Sequence, residues 1–291
     1  MPPWEFYAQG LSEFPLTAYP VAQRNIGLHR HFGHSELVIV RQGTGQHVLG
    51  TESFPIRRGD VFVVPPHAEH GYAHCESLQV MNILFDSKRL IMPEHQLNQL
   101  PGYHALFTLE PRLRTQHAFA SRLQLDEGAL SEIEVWLDKM HEEVLKKSPC
   151  FQLTLSSIFI AIVIELARRY ETLSHDSSKS LLRLSSLLSW IEKNFHRPIT
   201  LSELCRRAHM SQSTLRRCFV DCFGLSPAAY LTHIRVQRAE HLLKHTDAPI
   251  KQIAGDVGIP DANYFGRVFL KHAGTGPRTY RERARQEHGG S

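Results

Sequence analysis

The apolar and polar positions of this chain change period part-way along. Up to about residue 90 the apolar runs are short or alternating, at 36–40 (ELVIV), 46–49 (QHVL), 61–64 (VFVV) and 79–85 (QVMNILF). Turn signals at Gly43-Thr44-Gly45, Arg58-Gly59-Asp60 and Pro65-Pro66 separate them, the pattern of strands in a small barrel or sandwich. After about residue 115 the spacing becomes helical. Two helices are predicted at 130–147 and 152–170, parted by Pro149; in the second, Leu155, Ile158, Ile162, Leu166 and Arg169 trace one stripe that Phe159 and Val163 widen. A helix this apolar needs cover on more than one side, either inside its own protomer or from a second copy of itself. The stretch 171–180 (ETLSHDSSKS) is polar, serine-rich and aperiodic, as a linker is, and 181–196 resumes as a helix with Leu184, Leu187, Leu188 and Ile191 on one side. The expected organisation is therefore α+β, with one domain at 1–172, a linker at 173–180 and an all-helical domain at 181–291.

The helical domain contains an internal repeat. Placing Leu215 on Phe265 brings Phe219 onto Phe269, Gly224 onto Gly274, Pro227 onto Pro277 and Tyr230 onto Tyr280, an offset of 50. Upstream the offset is 49, because the second turn carries one extra residue. Each copy reads as a helix-turn-helix: Thr200 or Ser202 caps a short helix ending near Ala208, Ser211 caps the next, and Gly224 ends it. At about 100° per residue, Leu215, Phe219 and Cys222 share a buried face while Ser213 and Arg217 point the other way. The same projection in the second copy buries Phe265, Phe269 and His272 and turns Asn263 and Arg267 outward. Arginine donates bidentately to guanine and asparagine pairs with adenine, so these faces carry the chemistry of base-edge recognition in double-stranded DNA. Gln212, Arg216 and Asp261 lie nearer the helix starts, within reach of bases or phosphates. A helix from Ser226-Pro227 to about Lys244 joins the copies.

Charge sharpens this picture. The formal net charge is +4, but from Leu181 onward 17 Lys and Arg stand against 9 Asp and Glu, leaving the first 180 residues net negative. Positive charge gathered on the repeated segment fits a nucleic-acid module. Five cysteines without CxxC spacing indicate neither a disulfide framework nor a zinc cage. Neither a signal peptide nor a membrane span is expected, the stretch 157–167 being interrupted by Glu165, so the expected location is the cytoplasm.

The chain resembles the AraC family of transcription regulators through Arg235, Ala239, Leu242, Leu243, Ile253, Ala254, Gly258, Asn263, Tyr264, Phe265, Phe269, Gly274, Pro277 and Tyr280-Arg281. Within that family it is most similar to the L-rhamnose regulators, through residues 34–40 (HSELVIV), Gly43-Thr44-Gly45, His47-Val48 and Arg58-Gly59-Asp60. The resemblance implies an N-terminal cupin-like β-barrel binding a small effector such as a sugar, a helical segment that forms a homodimer, and promoter activation through RNA polymerase. Three positions depart from the pattern: Ile259 where Phe is usual, Gly276 where Ser precedes the proline, and His209 in a turn where Gly is common. Histidine tolerates left-handed backbone better than most residues, so the turn should survive.

His29-x-His31, Glu36 five residues on and His70 after Gly59-x5-Pro65 follow cupin metal-motif spacing. Three readings stand beside one another: polar contacts to an effector, structural histidines, or metal ligands in a metal-dependent cupin enzyme. The attached DNA module favours the first, with Arg24 as a further candidate for orienting a sugar. On that reading no catalytic residue, cofactor or metal is expected. Trp4, Phe6 and Tyr7 are read as a packing strand or a closing arm.

Overall fold

The computed structural model describes residues 4–115, 123–172 and 179–289. It divides into two compact units, up to Ser185 and from Ser186 onward. The division falls inside a helix, a few residues past the expected linker. That linker's ends are helical at 171 and at 179–180, and its centre lies outside the described residues.

The first unit opens with α1 (Trp4–Glu13), a helix where a packing strand was one expectation for Trp4, Phe6 and Tyr7. Seven antiparallel strands follow: β1 (Leu16–Ala22), β2 (Ile26–His29), β3 (Ser35–Leu49), β4 (Glu52–Arg57), β5 (Asp60–Val64), β6 (His70–Phe85) and β7 (Leu123–Gln124). They form one sheet in the order β1-β6-β3-β5-β7, with β2 also on β6 and β4 also on β3. The runs at 36–40 and 46–49, read from sequence as two strands, are one strand. Gly43 does not turn the chain back; it lets β3 bulge. Its φ is +77°, and a Cβ there would lie 2.4 Å from the Glu76 carbonyl oxygen of β6. Register shifts between Val40 and Gln46 bend the strand at this point. Gly59, at φ +89°, makes the true turn between β4 and β5.

Val38, Val40, Ile56, Phe62, Val64, Tyr72, Leu78 and Val80 form the core along one face of the sheet. Helical segments follow the long strands: α2 (Glu94–Leu97), α3 (Pro101–Tyr103), a π-helical turn (His104–Leu109) and α4 (Glu110–Thr115), then α5 (Glu127–Lys146) and α6 (Phe151–Glu171). Asp126 caps α5 by accepting from the Ala129 amide at 2.8 Å, and Lys147 closes it in left-handed backbone before Pro149. With 21 residues and mean hydropathy 1.6 over its most apolar stretch, α6 is long and apolar enough to cross a bilayer, contrary to the expectation from Glu165. Leu155, Phe159, Ile162, Val163, Leu166, Ala167 and Tyr170 are instead buried in the first unit, where α6 packs on α5, α3 and β1.

The second unit is helical: α7 (Lys179–Asn194), α8 (Leu201–Ala208), α9 (Gln212–Phe223), α10 (Pro227–His245), α11 (Ile250–Asp256), α12 (Ala262–Ala273) and α13 (Pro277–Gly289). The central helix, α10, packs on α9, α11, α12 and α13. Its start is secured by Ser226, whose side chain accepts from the Ala229 amide, and by Pro227 in the first turn.

Acid will weaken the first unit through His104. Burial pushes its imidazole down to about 4, against a hydrogen bond to the Asn98 carbonyl at 2.8 Å that pushes it up. Between about pH 6.5 and 4 the unfolded chain takes up a proton that the folded chain refuses, so this contribution is complete above the interval and lost as pH falls through it. The shift corresponds to about 3 kcal/mol. Urea melts across that interval should show the loss, and His104→Leu should be less stable at pH 7 but flatter with pH.

Candidate functional site

Two groups of side chains carry chemistry, one in each unit. In the second unit the repeat is reproduced in detail. Thr200 caps α8, while Ser211 and Asp261 cap α9 and α12 by accepting from the amides three residues on. The turns that follow α8 and α11 use left-handed backbone at His209 (φ 53°) and Gly258 (φ 79°), and α9 and α12 end on Gly224 and Gly274 in the same conformation. The Phe219 and Tyr230 rings meet edge to face at 5.3 Å, and their counterparts Phe269 and Tyr280 at 5.4 Å. His209 thus adopts the expected turn. Gly258 has the stricter requirement, since a Cβ there would stand 2.8 Å from the carbonyl oxygens of both Phe195 and His196. Ile259 is buried in the core of the second copy with Ile253, Val257, Phe265 and Phe269. Gly276 replaces the Ser226 cap with a residue that has no side chain, so α13 begins without one.

Gln212, Ser213, Arg216, Arg217, Asp261, Asn263 and Arg267 are all exposed. Ser213 and Arg217 lie opposite buried Leu215 and Phe219 on α9, with Arg216 on the flank, and Asn263 and Arg267 lie opposite buried Phe265 and Phe269 on α12. The Arg267 guanidinium lies 6.0 Å from the Tyr264 ring centre. Asp261 is placed differently from its neighbours: one of its carboxylate oxygens accepts from the Tyr264 amide at 2.7 Å, so it holds the helix start. Sequence also expected His272 to be buried like Cys222. It is exposed, its ring 6.0 Å from that of His233 on α10. An imidazole is larger and more strongly hydrated than a thiol, and Val268 and Ala273 complete the apolar contact instead.

In the first unit β2, β3 and β6 bring the motif histidines together. His29 pairs with His70 across β2 and β6, and their rings are 4.4 Å apart. His31, on the connection to β3, lies 5.1 Å from both rings. Glu36, buried on β3, directs one oxygen to Nε2 of His70 at 3.2 Å and of His31 at 3.4 Å. Burial pushes the Glu36 carboxyl up, but the two imidazoles outweigh it and hold the group well below the usual carboxylate range. Burial lowers His29. Arg24 remains exposed on the connection between β1 and β2 and is not brought into this group.

Of three further residues on the same inner surface, Tyr72 and Asn82 escaped the sequence reading, and His47 was noted there without a role. His47 is buried, with ring centres of Phe62, Tyr72 and His70 at 4.5, 5.4 and 5.8 Å. Tyr72 Oη and Asn82 Oδ1 are buried without a hydrogen-bond partner among the described residues. Alternation counted from Glu36 places His47 on the outer face; the bulge at Gly43 reverses that parity.

The helix-turn-helix domain family matches residues 204–283, and the cupin domain family matches residues 16–85. These matches support an AraC-type transcription regulator with a cupin domain. It is similar to the HTH-type transcriptional activator RhaR of Enterobacter sp. (strain 638), 26% identical over 86% of each chain. It is also similar to the activators RhaS of Escherichia fergusonii, 28% identical over 87% of each chain, and of Klebsiella pneumoniae (strain 342), 27% identical over 96% of this chain and 95% of that one. This AraC-type protein is a DNA-binding transcription activator with a cupin effector domain, a regulator rather than an enzyme.

Removing the Asp261 cap should cost about 1 kcal/mol of stability in the second unit, as should Ser211→Ala. Asp261→Asn should retain most of it, because the amide oxygen can still accept from Tyr264. Chemical denaturation of the three variants checks this.

Proposed function

We propose that this AraC-family protein activates a carbohydrate-utilisation promoter by inserting α9 and α12 into successive major-groove segments of double-stranded DNA. Ser213 and Arg217 read bases in one segment, and Asn263 and Arg267 in the next. Gln212 and Arg216 contact the edge of the first, and Asp261 positions its helix. The observation that carries this reading is the duplicated geometry. Two helices with matching caps, core rings and C-terminal glycines each present polar, hydrogen-bonding side chains opposite their buried faces. One chain thereby addresses two groove segments, and a homodimer four. The protein acts in the cytoplasm and engages RNA polymerase at the promoter.

The effector is a small polyhydroxylated molecule, L-rhamnose or a similar sugar, bound on the inner surface of the cupin sheet. His29, His31, Glu36 and His70 supply a polar end, His47, Tyr72 and Asn82 stand on the same surface, and Val38, Val40, Phe62 and Val64 form an apolar wall. A few placed polar groups in an apolar cavity is how small-ligand sites are usually built. The effector acts by binding the activating arrangement more tightly than the inactive one.

Arg217→Ala and Arg267→Ala should each cost about 1–3 kcal/mol at one cognate base pair and relax specificity there. Affinities measured over a salt series on cognate and scrambled promoter fragments decide the point: equal losses on both would make these arginines phosphate contacts, and no binding even at low salt would remove the DNA reading.

The cognate sugar at a hundredfold excess over its Kd should stabilise the protein by about 2.7 kcal/mol, read as a rise in Tm across a sugar panel. A rise with a non-sugar metabolite and none with any sugar would replace the effector class.

A further inference from the structure

We propose that Val220 of α9 and Leu270 of α12 each contact the C5 methyl group of a thymine in the major groove, so that each helix-turn-helix demands one thymine beside the base its arginine meets. This rests on the base-reading role given above to α9 and α12.

Val220 and Leu270 are each 52% exposed. With Tyr264 they are the large apolar side chains left exposed in the second unit, among the described residues, and all three stand on α9 or α12. One exposed apolar residue is ordinary on a protein surface. Here the exposure is repeated: Val220 and Leu270 are equivalent positions, at the same offset that places Phe219 on Phe269 and Gly224 on Gly274.

Both side chains also point the right way. At about 100° per residue from buried Leu215, Ser213 lies at about 160°, Arg217 at about 200° and Val220 at about 140°. Asn263, Arg267 and Leu270 repeat those directions from buried Phe265. Each helix therefore presents a polar residue, an arginine and an apolar residue at i, i+4 and i+7, in one stripe opposite its core face. Along the helix axis the apolar residue lies about 4.5 Å beyond the arginine. That is a little over one base-pair step of about 3.4 Å, so it meets the groove one or two base pairs further on.

The chemistry of the groove selects the base. Donors and acceptors line the major-groove edges of all four bases, and an aliphatic side chain laid over them strips water from groups it cannot bond. Thymine alone adds an apolar group, its C5 methyl. Valine is branched at Cβ and strongly prefers one χ1 rotamer in a helix, which fixes its methyls over one base. Leu270 is longer, and Gly266 one turn before it leaves the space around it open.

The full-length protein should select a binding sequence from a randomised duplex pool, after which each thymine is replaced in turn by deoxyuridine, which pairs alike but lacks the methyl. Two thymines about one helical turn apart should each show an affinity loss of about fourfold on replacement, the worth of one buried methyl. Val220→Ser should abolish that sensitivity at one thymine and Leu270→Ser at the other. Each variant should keep its sensitivity at the remaining thymine, which shows it folded and seated on the DNA. Sensitivity at no thymine, or sensitivity unchanged in both variants, would overturn the proposal. So would variants that bind every template as wild type does yet fail to activate transcription, which would assign the two side chains to a protein partner. If Arg217 and Arg267 still discriminate bases in the selected sequence while no methyl matters, this inference fails alone. A protein that selects no sequence would fail the base-reading role itself, and this inference with it.

Discussion

The antiparallel pairing of β3 with β6 is the constraint on which the cupin unit depends. Both strands run the length of the sheet, and β6 also carries β1 and β2 while β3 carries β4 and β5. Two strands this long cannot remain flat without exposing one apolar face, and successive register shifts between Val40 and Gln46 bend them. Bending brings the pair of polar ends into use. Glu36 enters from the start of β3, His70 from the start of β6, and His29 is held beside His70 by the short β2. A cluster of four titratable groups is tolerable in such a core because each imidazole and the carboxylate have a neighbour of suitable charge or polarity, whereas any one of them alone would be costly to bury.

In the helical unit the corresponding constraint is the contact of one aromatic pair with one glycine-ended helix, used twice. Phe219 on Tyr230 and Phe269 on Tyr280 fix how α9 and α12 leave the core, and the left-handed glycines let the chain reverse directly after each. Exposure of Arg217 and Arg267 follows from that burial, since a helix that commits one face to the core must show the other. The copies are not equivalent. The first has Arg216 beside Arg217 and a buried Cys222, while the second has Gly266 beside Arg267 and an exposed His272. Asp261 combines a capping role with a position close to exposed Asn263 and Arg267, a role that Ser211 fills in the first copy without charge.

Much of this was legible in advance because it depends on local chemistry. Caps at Thr200, Ser211 and Ser226, the ends at Gly224 and Gly274, and the buried Leu215, Phe219, Phe265 and Phe269 all follow from spacing within one or two turns. The failures share a different cause. Gly43 reads as a turn because glycine permits one, yet whether a left-handed glycine reverses the chain or only bulges it depends on the strand opposite. That strand, β6, comes within van der Waals reach of Gly43 from more than thirty residues away. His47 was hidden by the same bulge, His272 by the size of the space beside His233, and α1 by an N-terminal pattern too short to show a period.

By itself the sequence determined the α+β division, the repeat and its outward arginines, and the residue types of the histidine motif, because periodicity, capping and composition are properties of neighbouring residues. Only the tertiary structure decided that His29, His31, His70 and Glu36 share one place, that His47, Tyr72 and Asn82 line the same surface, and that Arg24 does not join the cluster. Those outcomes depend on strand register and bulge position. Register is set by pairing across distant segments, and a shift of one residue moves every side chain to the other face.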